Sequence, residues 1–148
     1  MVREQLKIAI GSDHAGFWLK ERIKAYLQDE GILVTDYGAE SDRGADYPDH
    51  VHPVAAGVEA GDFHYGIIMC GSGNGVSMTA NKHPGVRAAL SWQPEIARLA
   101  RAHNDANILA FPARYIEEGP ALEAVRLFLD TEFEGGRHLQ RVNKIRIQ

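Results

Sequence analysis

Five short apolar runs, at residues 6–10, 32–35, 66–70, 86–90 and 108–111, alternate along this chain with segments of helical period. No other feature of the sequence restricts the fold as much. Strand–helix–strand repetition closes as parallel strand pairs with the helices laid over the sheet, and the crossovers are right-handed. The third run, Gly66-Ile67-Ile68-Met69-Cys70, contains no charged or amide side chain, as expected of a strand covered on both faces. Phe17, Ile23, Tyr26 and Leu27, with Leu19 nearby, mark a helix that should stop at Gly31, where a glycine cap is expected. A polar stretch at 38–49 reads as a loop, and Val54, Ala55, Val58 and Glu59 then resume a helical pattern that stops near Gly61. Further helices are expected from Gly75 to about Lys82, from Pro94 (a first-turn proline) to about His103, and over 121–129. The expected fold is α/β: a three-layer α/β/α, Rossmann-like parallel sheet of about five strands. The chain reads as one domain over 1–148, with a basic C-terminal helix or tail from about 134 that carries Arg137, Arg141, Lys144 and Arg146.

Composition narrows the function. A chain of 148 residues closes a hydrophobic core without covalent staples. Its formal net charge of −4 argues against nucleic acid or an anionic membrane as partner, since both need a concentrated basic face. The lone cysteine excludes an intrachain disulfide, which fits a reducing compartment and makes Cys70 a candidate for chemistry. No leader-like h-region follows a basic start, and no run reaches the roughly 18 apolar residues of a membrane span. The expectation is a cytoplasmic protein.

In parallel α/β sheets, ligands bind at the carboxyl ends of the strands, near a reversal of strand order. The segments to inspect are therefore Gly11-Ser12-Asp13-His14-Ala15-Gly16, Cys70-Gly71-Ser72-Gly73-Asn74-Gly75, Ser91-Trp92 with the helix closing at His103-Asn104-Asp105, and Pro112-Ala113-Arg114. Ionisable and nucleophilic groups, Cys70 and His103 among them, thus gather at the expected ligand edge. Alternate glycines in the second segment let the backbone turn tightly and present several N–H groups inward, and the helix behind adds its dipole. Such a nest holds a phosphate or an oxyanion formed during reaction. Position alone would make Cys70 a small core residue. Beside the nest, its thiolate would be a base next to an anion hole, the pairing needed for proton abstraction α to a carbonyl.

Other readings stay open at this point. The glycine loop misses the dinucleotide fingerprint, because the third glycine position is Val76. The 11–16 segment has the outer glycine spacing of a Walker loop, but Phe17-Trp18 stands where Lys-Ser/Thr belongs. Asp36, about 20 residues beyond Gly16, keeps a non-catalytic nucleotide-binding module in play. His50 and His52, between Pro48 and Pro53, read as a solvated helix entrance, and no metal set completes them. Arg137 and Arg141 are four residues apart and share a helix face that suits a phosphate.

Six segments in order carry a resemblance: Gly11-Ser12-Asp13-His14-Ala15-Gly16-Phe17, Asp46-Tyr47-Pro48, Cys70-Gly71-Ser72-Gly73-Asn74-Gly75, Ala80-Asn81-Lys82, His103-Asn104-Asp105-Ala106-Asn107, and Glu134-Gly135-Gly136-Arg137-His138-x-x-Arg141. Over nearly its whole length the chain resembles the family of ribose-5-phosphate isomerase B, galactose-6-phosphate isomerase and allose-6-phosphate isomerase. The resemblance implies an aldose–ketose isomerase, with Cys70 as the base that shuttles a proton between C1 and C2. It implies that the backbone N–H groups of Gly71, Ser72, Gly73, Asn74 and Gly75 stabilise a cis-enediolate, and that Ser72 assists the transfer. It makes His103 the acid and base of ring opening, Asp13 and Asn104 hydroxyl ligands, and His14, Arg137 and Arg141 phosphate ligands. Tyr47 would line the sugar site, and Arg114 would reach the phosphate. It implies no metal or organic cofactor, a role in carbohydrate metabolism such as the pentose phosphate pathway, and a homodimer (or a tetramer of such dimers) whose sites draw on both subunits. Where one branch of the family has a glutamate base after the loop, this chain has Val76, so it resembles the cysteine branch. Ser72 and Asn74 look like the other branch, so a six-carbon sugar phosphate stands beside ribose 5-phosphate as substrate.

Overall fold

The computed structural model describes residues 3–147. Five strands, β1 (Lys7–Ser12), β2 (Leu33–Asp36), β3 (Tyr65–Cys70), β4 (Ala88–Leu90) and β5 (Ile108–Pro112), form one sheet in the order β2-β1-β3-β5-β4. Every neighbouring pair is parallel. The helices are α1 (Phe17–Asp29), α2 (Tyr47–Ala60), α3 (Asn74–Ala80), α4 (Pro94–Asn104), α5 (Glu118–Asp130) and α6 (Arg137–Asn143). The expected three-layer parallel architecture is therefore the one observed. None of the described helices is long and apolar enough to cross a membrane.

The pleat sorts the core into two halves. Ile8, Ile10, Ile67, Met69, Leu109 and Phe111 face α1, α4 and α5, where they meet Ile23, Leu27, Ala97, Ala100, Val125 and Phe128. Ala9, Ile68, Cys70, Ile108 and Ala110 face α2 and α3 and pack on Val51, Val54, Val58, Val76 and Ala80. Connections that move toward β2 run through the first layer (α1, α4), and those that move toward β4 run through the second (α2, α3). All four crossovers thus share one hand, as the rule for parallel pairs requires. β1 is followed by α1 on one face and β3 by α3 on the other, so the chain diverges above these two adjacent strands. A crevice opens there, at their carboxyl ends.

Element boundaries differ from the sequence reading where a polar surface hides the period. α2 starts at Tyr47, seven residues before Val54, with Pro48 in its first turn. Its buried stripe is Val51, Val54, Ala55 and Val58, and His50 and His52 ride on it rather than preceding it. β4 is shorter than expected. Its outer edge is occupied by a side chain: Asn81 Nδ2 donates to the Ala88 carbonyl at 3.0 Å and Asn81 Oδ1 accepts from the Ala88 N–H at 2.8 Å.

Candidate active site

At the crevice, β1 ends in Ser12 and Asp13, both buried. Asp13 turns the chain by accepting the Gly16 N–H on Oδ1 at 3.1 Å, which caps a 3-10 turn, His14–Gly16, leading into α1. His14 Nδ1 accepts the Ala45 N–H at 3.1 Å, which leaves Nε2 as the ring's donor. The glycines of this first segment have packing roles. A Cβ on Gly11 would collide with the His50 carbonyl, and one on Gly16 would lie 2.6 Å from Met69 Cγ. They bring helices close to the sheet. Asp36 is likewise engaged. Burial alone would raise its pKa, but hydrogen bonds from Lys20 (2.6 Å), Lys24 (2.8 Å) and the Gly38 N–H (2.8 Å) outweigh that and hold it below the ordinary carboxylate range. It faces its own lysines, not a ribose.

β3 delivers Cys70 to the floor of the crevice as a free thiol, 5% exposed, on the face covered by α2 and α3. The glycine loop rises from it. Gly73 adopts φ +79°, and a Cβ there would strike Leu90 and stand 3.1 Å from the Phe111 backbone, so the turn admits only glycine. Among the described residues, no acceptor meets the N–H groups of Gly71, Ser72 or Gly73, while Ser72 Oγ accepts from Asn74 N–H at 3.2 Å. The loop therefore keeps three backbone donors uncommitted. Tyr47, at the start of α2, lays its ring on Gly75: a Cβ there would lie 2.5 Å from Tyr47 Cζ. From β5, Arg114 closes the other side. Its N–H donates to the Gly71 carbonyl at 3.0 Å, and its guanidinium reaches within 3.1 Å of a Cβ built on Gly71. Asp13, His14, Tyr47, Cys70, Gly71, Ser72, Gly73, Asn74, Gly75 and Arg114 thus share one edge of the sheet.

His103, Asn104, Arg137 and Arg141 do not join them within the chain, which corrects the expectation that His103 lies at the ligand edge. A helix following a parallel strand returns to the strands' amino edge, and α4 carries His103 and Asn104 back with it. Arg101 and Asp105 line a cavity with Leu6, His64 and Tyr65, residues at the starts of β1 and β3. Asn104 lines another with Arg87, Ala88 and Val142. The length of β3, roughly 17 Å at about 3.3 Å per residue, separates this edge from Cys70. α6 packs on α4, so Arg137 and Arg141 belong to this second cluster. The sequence reading missed Glu134 and His138 as a pair around His103: the two imidazoles stack at 4.2 Å, and both face the Glu134 carboxylate. Their motif spacing was visible, but their meeting with a residue 31 positions upstream depends on packing.

Comparison with known proteins places the whole chain. The family model for Ribose/Galactose Isomerase matches residues 8–145. The chain belongs to this family. Ribose-5-phosphate isomerase B of Escherichia coli (strain K12) is 45% identical over 139 residues, 94% of this chain and 93% of that one. Among solved structures, a ribose 5-phosphate isomerase from Thermotoga maritima superposes with a TM-score of 0.94 at 48% identity, covering 96% of this chain and 98% of that chain. Ribose-5-phosphate isomerase B from Mycoplasma genitalium, solved with bound ribulose-5-phosphate, gives a TM-score of 0.90 at 41% identity over 95% and 94% of the two chains. The resemblance drawn from six short motifs therefore holds along almost the full chain of this Ribose/Galactose Isomerase family member.

Proposed function

We propose that the chain is an aldose–ketose isomerase that interconverts ribose 5-phosphate and ribulose 5-phosphate. The observation that carries this reading is the buried Cys70 at the foot of a glycine loop whose Gly71, Ser72 and Gly73 N–H groups have no acceptor among the described residues. The relative with bound ribulose-5-phosphate supports the five-carbon sugar over a six-carbon one.

In the open-chain aldose, the Cys70 thiolate takes the C2 proton. The electron pair moves into the C1–C2 bond, and the carbonyl electrons move to O1. The resulting cis-enediolate meets the N–H groups of Gly71, Ser72 and Gly73, preorganised donors that need no rearrangement as charge appears. Cys70 then returns the proton to C1. Ser72 hydrogen-bonds at the loop mouth, where O1 and O2 exchange their proton. Asp13 and Asn104 bind hydroxyls, Tyr47 walls the sugar, and His14, Arg137 and Arg141 with Arg114 hold the phosphate. His103 opens the furanose by taking the anomeric hydroxyl proton and protonating the ring oxygen. No organic cofactor enters this sequence.

The separation of the two clusters within one chain supports a homodimer in which the partner supplies His103, Asn104, Arg137 and Arg141. Two-fold symmetry repeats any such contact, so one dimer completes two sites. The reading is tested by turnover of purified protein on ribose 5-phosphate, with allose 6-phosphate and unphosphorylated ribose in parallel and EDTA present. Expected is conversion of ribose 5-phosphate that disappears when Cys70 is alkylated. Cys70→Ala should lower kcat by about 10²–10⁴, the usual contribution of a general base, and leave the fold intact. Full turnover in that variant would remove Cys70 from the role. Preference for allose 6-phosphate would move the substrate to six carbons.

A further inference from the structure

We infer that His138 is a positioning residue for ring opening: its imidazole is the platform that fixes the plane of the His103 ring. The inference rests on the role given to His103 in the proposed function. The two rings stack at 4.2 Å with 12° between their planes. Near-parallel planes send the in-plane nitrogens outward rather than at each other, so His138 offers His103 a flat face and no hydrogen bond. Glu134 Oε1 stands 3.8 Å from His103 Nε2, beyond hydrogen-bond distance. Among the described residues, no hydrogen bond reaches either nitrogen of His103. Rotation about χ2 of a histidine is soft and roughly two-fold, so a ring this open would otherwise sample many planes. Ring opening needs one plane, because a nitrogen that takes the anomeric proton must point its in-plane lone pair at that hydroxyl.

The backbone makes the platform the rigid member of the pair. His138 has a side chain 13% exposed, against 38% for His103. Its N–H donates to the Gly135 carbonyl at 3.0 Å, and the buried Val142 anchors α6 one turn further on. The Glu134 N–H donates to the Ala102 carbonyl at 3.0 Å, which ties the start of this segment to the last turn of α4 beside His103. Gly135 and Gly136 follow with φ of +67° and +53°, and this double left-handed turn folds α6 back so that His138 lands on the His103 ring. Platform and acid–base group therefore sit on one chain and reach any site together. The nitrogens of His103 stay free for the sugar.

The competing explanation is that His138 only docks α6. Loss of docking would displace Arg137 and Arg141 on the same helix, and phosphate binding would weaken. A lost platform would slow ring opening alone. His138→Ala should therefore lower kcat on ribose 5-phosphate about 10- to 100-fold, the scale of a misplaced reacting group. KM should stay within about twofold, because uniform binding is untouched. Calorimetry with an open-chain hydroxamate phosphate, a planar mimic of the enediolate that needs no ring opening, should give wild-type affinity in this variant. His138→Phe keeps a flat ring without nitrogens and should restore most of kcat. Proton NMR supplies a readout apart from turnover: the His103 ring protons, assigned with His103→Gln, should move downfield in His138→Ala, as the shielding of the stacked ring is lost, and stay near their wild-type positions in His138→Phe. Unchanged kcat in His138→Ala, a parallel loss of hydroxamate affinity, unmoved His103 resonances, or a His138→Phe protein as slow as His138→Ala each overturns the platform. Wild-type protein that shows the NMR shift but turns over no ribose 5-phosphate would keep the stack and overturn the proposed function instead.

Discussion

Arg137 and Arg141 are exposed on the same face of α6 and make no ion pair among the described residues, so their guanidiniums are available to an anion. A charge-assisted hydrogen bond is worth about 1.5–3 kcal/mol. Arg137→Ala should therefore raise KM for ribose 5-phosphate roughly 10- to 100-fold. kcat should stay near wild type, since the phosphate is held equally in ground and transition states. Steady-state kinetics checks this, and a matching fall in kcat would instead place the arginine in the chemistry. At the residue scale, the sequence was most legible where identity and local spacing coincide. Cys70 stood out because a lone thiol ended an all-apolar strand and opened a glycine loop. The arginines stood out because four residues make one helical turn. His138 and Glu134 were not legible as neighbours of His103, because no local rule places α6 on α4. Asp36 misled for the same reason: its distance from Gly16 fitted a ribose acid, and only the packing of α1 on the sheet reveals Lys20 and Lys24 against it.

That ion cluster belongs to the level of elements, because it clamps α1 to the end of β2. Lys20 is 1% exposed and donates to Asp36 and to Glu21 (2.9 Å). Removing Asp36 leaves the ammonium buried with only Glu21, so Asp36→Asn should cost about 3 kcal/mol, the low end for a broken buried pair. Lys20→Met should cost less, because Asp36 keeps Lys24 and the Gly38 N–H. Denaturant unfolding at neutral pH measures both. The sign with pH is fixed as well. The folded pKa of Asp36 is lower than the unfolded value of about 3.9, so its contribution is complete above that value and is lost as pH falls through the folded one. Asp36→Asn should flatten the decline of wild-type stability below about pH 4. The glycine loop is the second element that admits a sharp expectation. Gly73→Ala meets Leu90, the Phe111 backbone and an unfavourable φ together, and should lower both stability and turnover. The helix periods were readable to within a few residues except at α2. There the stripe Val51-Val54-Ala55-Val58 was present, but two prolines and two histidines masked its first turns.

For the whole molecule, parallel topology decides what one chain can do alone. The strand–helix alternation predicted the sheet. It could not show that the loop-borne and helix-borne halves of the candidate site end at opposite edges, because that follows from where α4 terminates. If partner chains complete each other's sites, Cys70→Ala and His103→Ala should complement. In an equal mixture, half the dimers are mixed and each holds one intact site of two. About a quarter of wild-type activity should return after subunits exchange. Activity no greater than the sum of the two variants would show that each site is completed within one chain. Dilution gives a second reading: specific activity should fall as dimers dissociate, since a lone chain would hold both halves apart.

Asn81 remains. Its side-chain amide meets the Ala88 backbone as a neighbouring strand would, donor to acceptor and acceptor to donor. At β4 the sheet thus ends in a terminator one residue long. An exposed parallel edge is an invitation to any extended peptide, including another copy of the same sheet. With that rung taken, a newcomer at the β4 edge finds the Ala88 N–H and carbonyl already satisfied, without a covering helix. Contacts between copies are thereby steered away from the β4 edge and toward helices and loops.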